Sequence, residues 1–364
     1  MTVQQFQVRK DDLSSHRLVR QEVPELEDGE VLVKVDRFGL TANNITYGVV
    51  GERIGYWNFF PPADNDDGGW GIIPVWGFAD VVASQAPDVP VGERLYGYFP
   101  MATHLVMRPD RVSETRLSDA AAHRAALPPV YNSYMRLAGQ PGYERAFDNA
   151  RMVLHPLYAT SFCLQDFFSD NGWFGAEQVI VISASSKTAI GLAYALADNA
   201  NAPKSIGMTS NRNLELVKSL DLYDDVLTYD AIASVDAGRP TAIIDMSGSG
   251  TVLSDLHSHL GDNMRYCSNV GVTHWSENQM GPGFIRERSA MFFAPGHIQK
   301  RAGEWGKGEF EKRAFAFWRS VAEKSGSWLT YETTAGLQDV ESVFDDLRDG
   351  KISPHTGLVI DLSS

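Results

Sequence analysis

Apolar and polar positions alternate over the first forty residues. The run Val31-Leu32-Val33-Lys34-Val35 follows the turn Glu27-Asp28-Gly29-Glu30. Period-two alternation of this kind predicts antiparallel strands with one solvated face. Short glycine-punctuated runs at 75–82 and 91–99 extend the pattern toward a small barrel. Between them the chain changes character. Residues 41–48 predict a short helix or loop capped by Asn43 or Asn44. Residues 56–62 hold four aromatic side chains, which fit either a pocket wall for a flat ligand or a small satellite core. Residues 118–150 read as irregular and helical, interrupted by Pro128-Pro129.

From residue 178 the period is different. Val179-Ile180-Val181-Ile182 is a continuous β-branched run, as expected of a strand buried on both faces. A small polar turn, 183–188, leads into an Ala- and Leu-rich helical stretch. The alternation then repeats. Strands are predicted at 205–210, 226–229, 242–248, 265–272 and 291–295, with a helix at 213–220. Strand and helix alternation builds a parallel, doubly wound sheet. A long helix at 310–323 and a strand, helix, strand set at 331–334, 340–347 and 357–360 close the chain.

The chain has 364 residues, too many for one ordinary core, so two domains are expected. Its formal net charge of -14 argues against a nucleic-acid or anionic-membrane partner, since both require a basic face. Cys163 and Cys267 both lie in apolar stretches and read as buried thiols. No Cys/His spacing suits a structural zinc site, so no metal is expected. No apolar run reaches membrane-spanning length and the N-terminus lacks a signal-peptide core, which places the protein in the cytoplasm.

Ligands of doubly wound sheets bind at the carboxyl ends of the strands. That rim carries 183–188, 209–212, 247–250 and 271–275. Ser185, Ser186 and Thr188 can donate hydroxyl hydrogen bonds to a pyrophosphate at the helix N-terminus, and Lys187 can add charge. Only Gly191 keeps a place in the usual three-glycine fingerprint, where it would let helix and strand pack closely. The same turn also reads as a plain strand–helix connection with a solvated lysine. At the end of the second strand a free ribose hydroxyl would call for an acid. Thr209-Ser210-Asn211-Arg212 stands there instead. Hydroxyls and a guanidinium suit a 2′-phosphate, so the cofactor reading is NADP(H), with Thr209, Ser210 and Arg212 at that phosphate. Ser210 or Asn211 as a helix cap is the alternative. Ser247, Gly248, Gly271, Thr273 and Phe293 complete the expected cofactor-binding set.

Four segments carry a family resemblance: 31–35 with Gly39-Leu40, Val91-Gly92-Glu93-Arg94-Leu95-Tyr96-Gly97, Lys218-Ser219-Leu220 before the strand at Val226, and Asp349-Gly350-Lys351-Ile352-Ser353-Pro354. With the order of elements, they resemble the medium-chain dehydrogenase/reductase superfamily, in its zinc-independent quinone-reductase and enoyl-reductase branch. The resemblance implies an α/β fold: a GroES-like β-barrel catalytic domain (1–150 and 327–364) and a Rossmann-type doubly wound parallel sheet (151–326). It also implies a homodimer acting on a small-molecule substrate. Thr41 and Gly77-Phe78-Ala79 stand where a zinc alcohol dehydrogenase would have Cys and Gly-His-Glu. An activated C=C bond, as in an enone, quinone or enoyl ester, is the expected target of NADPH-dependent reduction. A metal-free carbonyl reductase or alcohol dehydrogenase and a non-catalytic NADP(H) sensor are the alternatives. Without zinc a side chain must stabilise the developing enolate or alkoxide. Tyr47 and Tyr56 are the catalytic candidates, and Asn44 a candidate to orient substrate or nicotinamide. His155 and His274 are alternative acids. Arg301 and Trp305 either close the cleft or pack the last helix.

Overall fold

The structure is a computed structural model that describes residues 2–271, 280–306 and 308–363. It divides into two compact units, 1–153 with 329–364 and 154–328.

In the first unit Thr2–Arg9 and His16–Glu22 pair antiparallel, with Trp70–Gly71 on the other side of Thr2–Arg9. The larger sheet is built on Val31–Leu40, which pairs antiparallel with Pro74–Ser84, His104–Met107 and Thr356–Asp361. Alternation is lost in its burial: eight of its ten residues are buried and the other two half-buried, because the strand is covered on both faces. The stretch 118–150 is not helical until its end. It holds the strands Arg116–Asp119 and Ser133–Arg136 separated by single 3₁₀ turns. Arg124 explains this. Its guanidinium is buried and bonds Asp119 Oδ2 at 2.7 Å, the Tyr134 hydroxyl at 2.9 Å and the Tyr131 carbonyl at 2.8 Å. A fully paired buried cation ties the segment to its own turns, an interaction that propensity does not register.

The second unit carries a six-stranded, all-parallel sheet. Numbered in chain order, its strands lie 3-2-1-4-5-6. The central strand Gln178–Ile182 is buried throughout, between Lys204–Thr209 and Thr241–Asp245. Asp225–Thr228 lies outside Lys204–Thr209, and Met264–Asn269 then Ser289–Met291 outside Thr241–Asp245. This is the order of dinucleotide-binding sheets, with its reversal between the first and fourth strands. The last strand ends at Met291, earlier than the expected 291–295, because Pro295 sits in the first turn of the helix Ala294–Trp305, where its missing N–H costs nothing.

One helix, Asp148–Asp170, runs from the first unit into the second. Gly191 serves that helix and not the strand. A Cβ at Gly191 would meet Tyr158 Cδ1 at 2.4 Å and Ser161 Oγ at 2.7 Å. The Ser161 hydroxyl donates to the Thr188 carbonyl at 2.7 Å across the same approach. Gly191→Ala is therefore expected to destabilise the protein by about 1–3 kcal/mol, read from the denaturant midpoint.

Candidate functional site

The rim of the parallel sheet is assembled by register. Ile182 pairs with Asp245, so the turns that leave these two adjacent strands lie side by side. In the first turn Ser183 takes a left-handed φ of 62°, a conformation that costs a non-glycine residue roughly 1 kcal/mol. Ser186 caps the helix Lys187–Ala197, its hydroxyl accepting from the Ala189 N–H at 3.3 Å. In the second turn Gly248 takes φ 71° and Ser249 caps Gly250–Leu260, accepting from Val252 N–H. Two helix N-termini thus open at neighbouring strand ends, each with unpaired N–H groups and a partial positive charge.

The second turn is organised by Asp245, which is fully buried. Its carboxylate accepts from Ser247 N–H at 2.8 Å, the Ser247 hydroxyl at 2.7 Å and Gly248 N–H at 2.9 Å. Its backbone carbonyl accepts from Val270 and Gly271 N–H. Gly271 is obligatory there, since a Cβ would stand 2.0 Å from the Met246 carbonyl oxygen. Burial, then the Asp245 charge, pushes the Tyr229 hydroxyl up to about 12, while hydrogen bonding to Ser183 pulls it the other way. Asp245, Tyr229 and Ser183 thereby join three strand ends. Sequence reading passed over Asp245, though an acid closing a buried strand before Ser-Gly is an Asx-turn signal.

The serines and lysine of the first turn have distinct surroundings. Ser185 is buried, and its hydroxyl accepts from Thr209 Oγ1 at 3.4 Å and Asn213 Nδ2 at 3.0 Å, so neither of these bonds uses its own proton. Lys187 keeps some exposure as a residue, yet protein crowds its ammonium enough to lower its pKa to about 8 by desolvation. Thr188 gives its carbonyl to Ser161. At the second strand end Thr209 is buried, Ser210 half-buried and Arg212 exposed. Asn211 donates to Asp230 at 2.8 Å. An acid therefore stands beside this segment, contributed by the third strand's end and not by the second's.

Ser185, Ser186, Lys187, Thr188, Thr209, Ser210, Ser247, Gly248 and Gly271 thus lie at the carboxyl ends of the first, second, fourth and fifth strands, with Arg212 just beyond the second. Phe293 is exposed and precedes the helix Ala294–Trp305. Thr273 and His274 lie outside the described residues. Arg301 is not poised to close anything. It bonds Asp166 at 2.6 Å, Asp170 at 3.0 Å and Glu304 at 2.5 Å, and stacks on Trp305. His155 packs edge-on against Trp318.

The catalytic candidates of the first unit sit in an aromatic cluster. Tyr47 and Tyr56 are buried, with ring centroids 4.5 Å apart. Trp57, Phe59 and Phe60 are buried too, so the aromatic loop at 56–62 forms core. The Tyr56 and Tyr131 hydroxyls are 3.0 Å apart. Desolvation raises Tyr47 and Tyr56, and the donor groups of Trp76, Asn43 and Tyr98 nearby pull Tyr47 back down. Asn44 is committed internally. Its Oδ1 accepts from Thr41 N–H at 2.8 Å, making Thr41 the cap of the helix Ala42–Val49, and its Nδ2 donates to the Pro74 carbonyl at 2.9 Å. Its Oδ1 also accepts from Thr41 Oγ1 at 3.3 Å, so the amide fixes the start of the helix that carries Tyr47.

Solved structures of the same architecture cover almost the whole chain. CurA from Vibrio vulnificus in complex with NADPH aligns over 99% of each chain at 13% identity, with a TM-score of 0.63. Mycobacterial Rv1454c complexed with NADPH covers 99% of this chain and 100% of its own at 13% identity and TM-score 0.61. CurK enoyl reductase covers 99% of each at 12% identity and TM-score 0.59. The fold shared with these structures combines a GroES-like domain and a Rossmann domain. By sequence the chain belongs to the family described as "Protein of unknown function (DUF2855)", whose model matches residues 38–353. No curated protein matches it in sequence. No helix among the described residues is long and apolar enough to cross a membrane.

Removing the carboxylate that shapes the second turn leaves three buried donors without an acceptor. Asp245→Ala is expected to cost roughly 3 kcal/mol of stability by denaturant unfolding, and Asp245→Asn less, because one acceptor oxygen survives.

Proposed function

We propose that the protein is an NADP(H)-dependent oxidoreductase that reduces an activated C=C bond of a small molecule, such as an enone, quinone or enoyl ester, without a metal. The observation that carries this reading is the pair of capped helix starts at Ser186 and Ser249, abutting where the strand order reverses. The donor set there fits a dinucleotide diphosphate: two helix N-termini, the Ser185 hydroxyl and the Lys187 ammonium. Thr209, Ser210 and Arg212 favour a 2′-phosphate, with no acid on the second strand's end to repel it. Ser247, Gly248 and Gly271 border the pyrophosphate and nicotinamide side, and Thr273 and Phe293 are assigned to the same cofactor. The NADPH carried by CurA and Rv1454c, and the enoyl-reductase activity in the name of CurK, point the same way.

Bound there, the cofactor would supply a hydride. The chain's own part is to hold the diphosphate, exclude water and provide a proton. Tyr47 is the assigned acid. It is the phenol whose oxygen is served by other donors, whereas Tyr56 lies behind it against Tyr131. Asn44 acts by fixing the helix that carries Tyr47. Thr41 and Gly77-Phe78-Ala79, in place of the zinc ligands of related alcohol dehydrogenases, support a metal-free site. The test is NADPH oxidation against a panel of enones, quinones, enoyl esters and ketones. Turnover of ketones alone would favour a carbonyl reductase, and tight binding with no turnover would favour a sensor.

The cofactor contacts make two further expectations. Arg212→Ala should weaken NADPH about tenfold in a fluorescence titration while leaving NADH little changed. Equal loss for both would remove the 2′-phosphate role. Lys187 has its folded value lowered to about 8 from 10.5. Its charged form is therefore penalised below pH 8, and the stability contribution of this group rises as pH climbs from 8 toward 10.5. Because only the ammonium attracts the diphosphate, NADPH affinity should fall as pH rises through about 8, and Lys187→Met should flatten that dependence.

We further place the protein in the cytoplasm as a homodimer. The strand Ser289–Met291 is the edge of the parallel sheet, and Met291 and Phe293 are exposed beside it, a combination that invites pairing with a second copy. Met291→Glu should shift sedimentation toward the monomer.

A further inference from the structure

Four phenols of the first unit pack ring to ring. Centroids are 4.5 Å apart for Tyr47 and Tyr56, 5.7 Å for Tyr47 and Tyr98, and 4.7 Å for Tyr98 and Tyr131. Burial raises the pKa of all four, so each resists ionisation. Their oxygens differ in what they meet. Tyr56 and Tyr131 bond one another. Tyr47 receives the Trp76 indole N–H at 3.5 Å, the long end of hydrogen-bond geometry, and the Asn43 amide on its own helix also favours a charge on its oxygen. Tyr98 is fully buried and its hydroxyl has no hydrogen-bond partner among the described residues. It stands beside Tyr47, near enough to favour a charge on that oxygen yet short of a formed bond.

A buried O–H without an acceptor is disfavoured, and an indole at 3.5 Å is a weak bond. Both become strong when the acceptor carries charge, because charge-assisted bonds shorten and gain energy in a low-dielectric surrounding. The two donors are poorly matched to a neutral Tyr47 and well matched to an ionised one. Trp76 and Tyr98 also brace each other, with centroids 5.2 Å apart, so neither is free to turn away.

We propose that the Tyr98 hydroxyl and the Trp76 indole form a donor pair held for the Tyr47 phenolate, making Tyr98 and Trp76 positioning residues of the reaction. This rests on the reading that Tyr47 is the acid. In the proton step the Tyr47 O–H bond breaks and the proton passes to the enolate left by two-electron reduction of the acceptor, the reduced nicotinamide being the reductant. The electron pair stays on the phenol oxygen, where Tyr98 and Trp76 donate to it. A proton from water then restores the phenol. The pair acts where charge develops and is absent as a strong interaction beforehand, which is how preorganised donors favour a transition state over a ground state.

The test uses full-length protein carrying 3-fluorotyrosine, with the Tyr47 signal identified by its loss in Tyr47→Phe, and follows each phenol by ¹⁹F NMR against pH. Tyr47 should ionise first of the four. Tyr98→Phe, which deletes a single oxygen, should move the Tyr47 titration upward by about one unit, and Trp76→Phe should move it the same way. Tyr131→Phe, whose hydroxyl serves Tyr56, should move it far less. An unmoved Tyr47 titration in Tyr98→Phe, or an equal shift in Tyr131→Phe, overturns the donor pair. Turnover separates this from the functional reading. In an active reductase Tyr98→Phe should lower kcat about tenfold or more with KM and NADPH affinity unchanged. If the NMR shifts appear and no acceptor is turned over, the donor pair stands and the reductase reading falls.

Discussion

The parallel pairing of Gln178–Ile182 with Thr241–Asp245 is the constraint on which the second unit depends. Once Ile182 and Asp245 are partners, the turns after them must leave from the same height on the same side of the sheet. Both turns then have to satisfy backbone groups at a buried edge. One does so with a serine cap and a left-handed Ser183, the other with a carboxylate that gathers Ser247 and Gly248. The accommodation leaves helix N–H groups pointing outward in pairs. On the reading proposed above, the diphosphate site is a by-product of closing two strands correctly, with Ser185 and Lys187 refining a field that the backbone has already set up.

The first unit obeys a different economy, with polar groups enclosed in aromatic surroundings. Arg124 is paired on every side and holds the turns around Tyr131 and Tyr134. Asn44 is tied through both its oxygen and its nitrogen. Within the aromatic cluster the Tyr98 hydroxyl has no partner among the described residues, and the asymmetry between Tyr47 and its neighbours comes from donors rather than from depth of burial.

Much of the second unit was legible because its strands are short β-branched runs whose pattern depends only on near neighbours. The alternation from 178 onward gave the element types, and the small-residue turns marked the rim. What could not be read was convergence across the chain. Nothing local to Asp245 says that Tyr229 and Ser183 will meet it. Gly191 was legible as a close approach but not as an approach to the helix Asp148–Asp170, since the partner lies some thirty residues away. Residues 118–150 misled for a related reason: their strands are four residues each and are held by Arg124, so local propensity pointed to helix. Arg301, which the sequence left between closing the cleft and packing the last helix, is held by three carboxylates.

The strand Thr356–Asp361 lies one place in from the edge of the first unit's large sheet, between Thr330–Ala335 and Val31–Leu40. Its place there imposes an order on biosynthesis. The Rossmann unit is continuous in the chain and can close as soon as it leaves the ribosome. The N-terminal half of the other unit must wait, with the Arg37–Leu40 end of Val31–Leu40 unpaired on one side, until Thr356–Asp361 emerges. The interval exposes these unpaired backbone groups, with Phe38 and Leu40 among them, to neighbouring nascent chains, and it is over this interval that a chaperone would matter most.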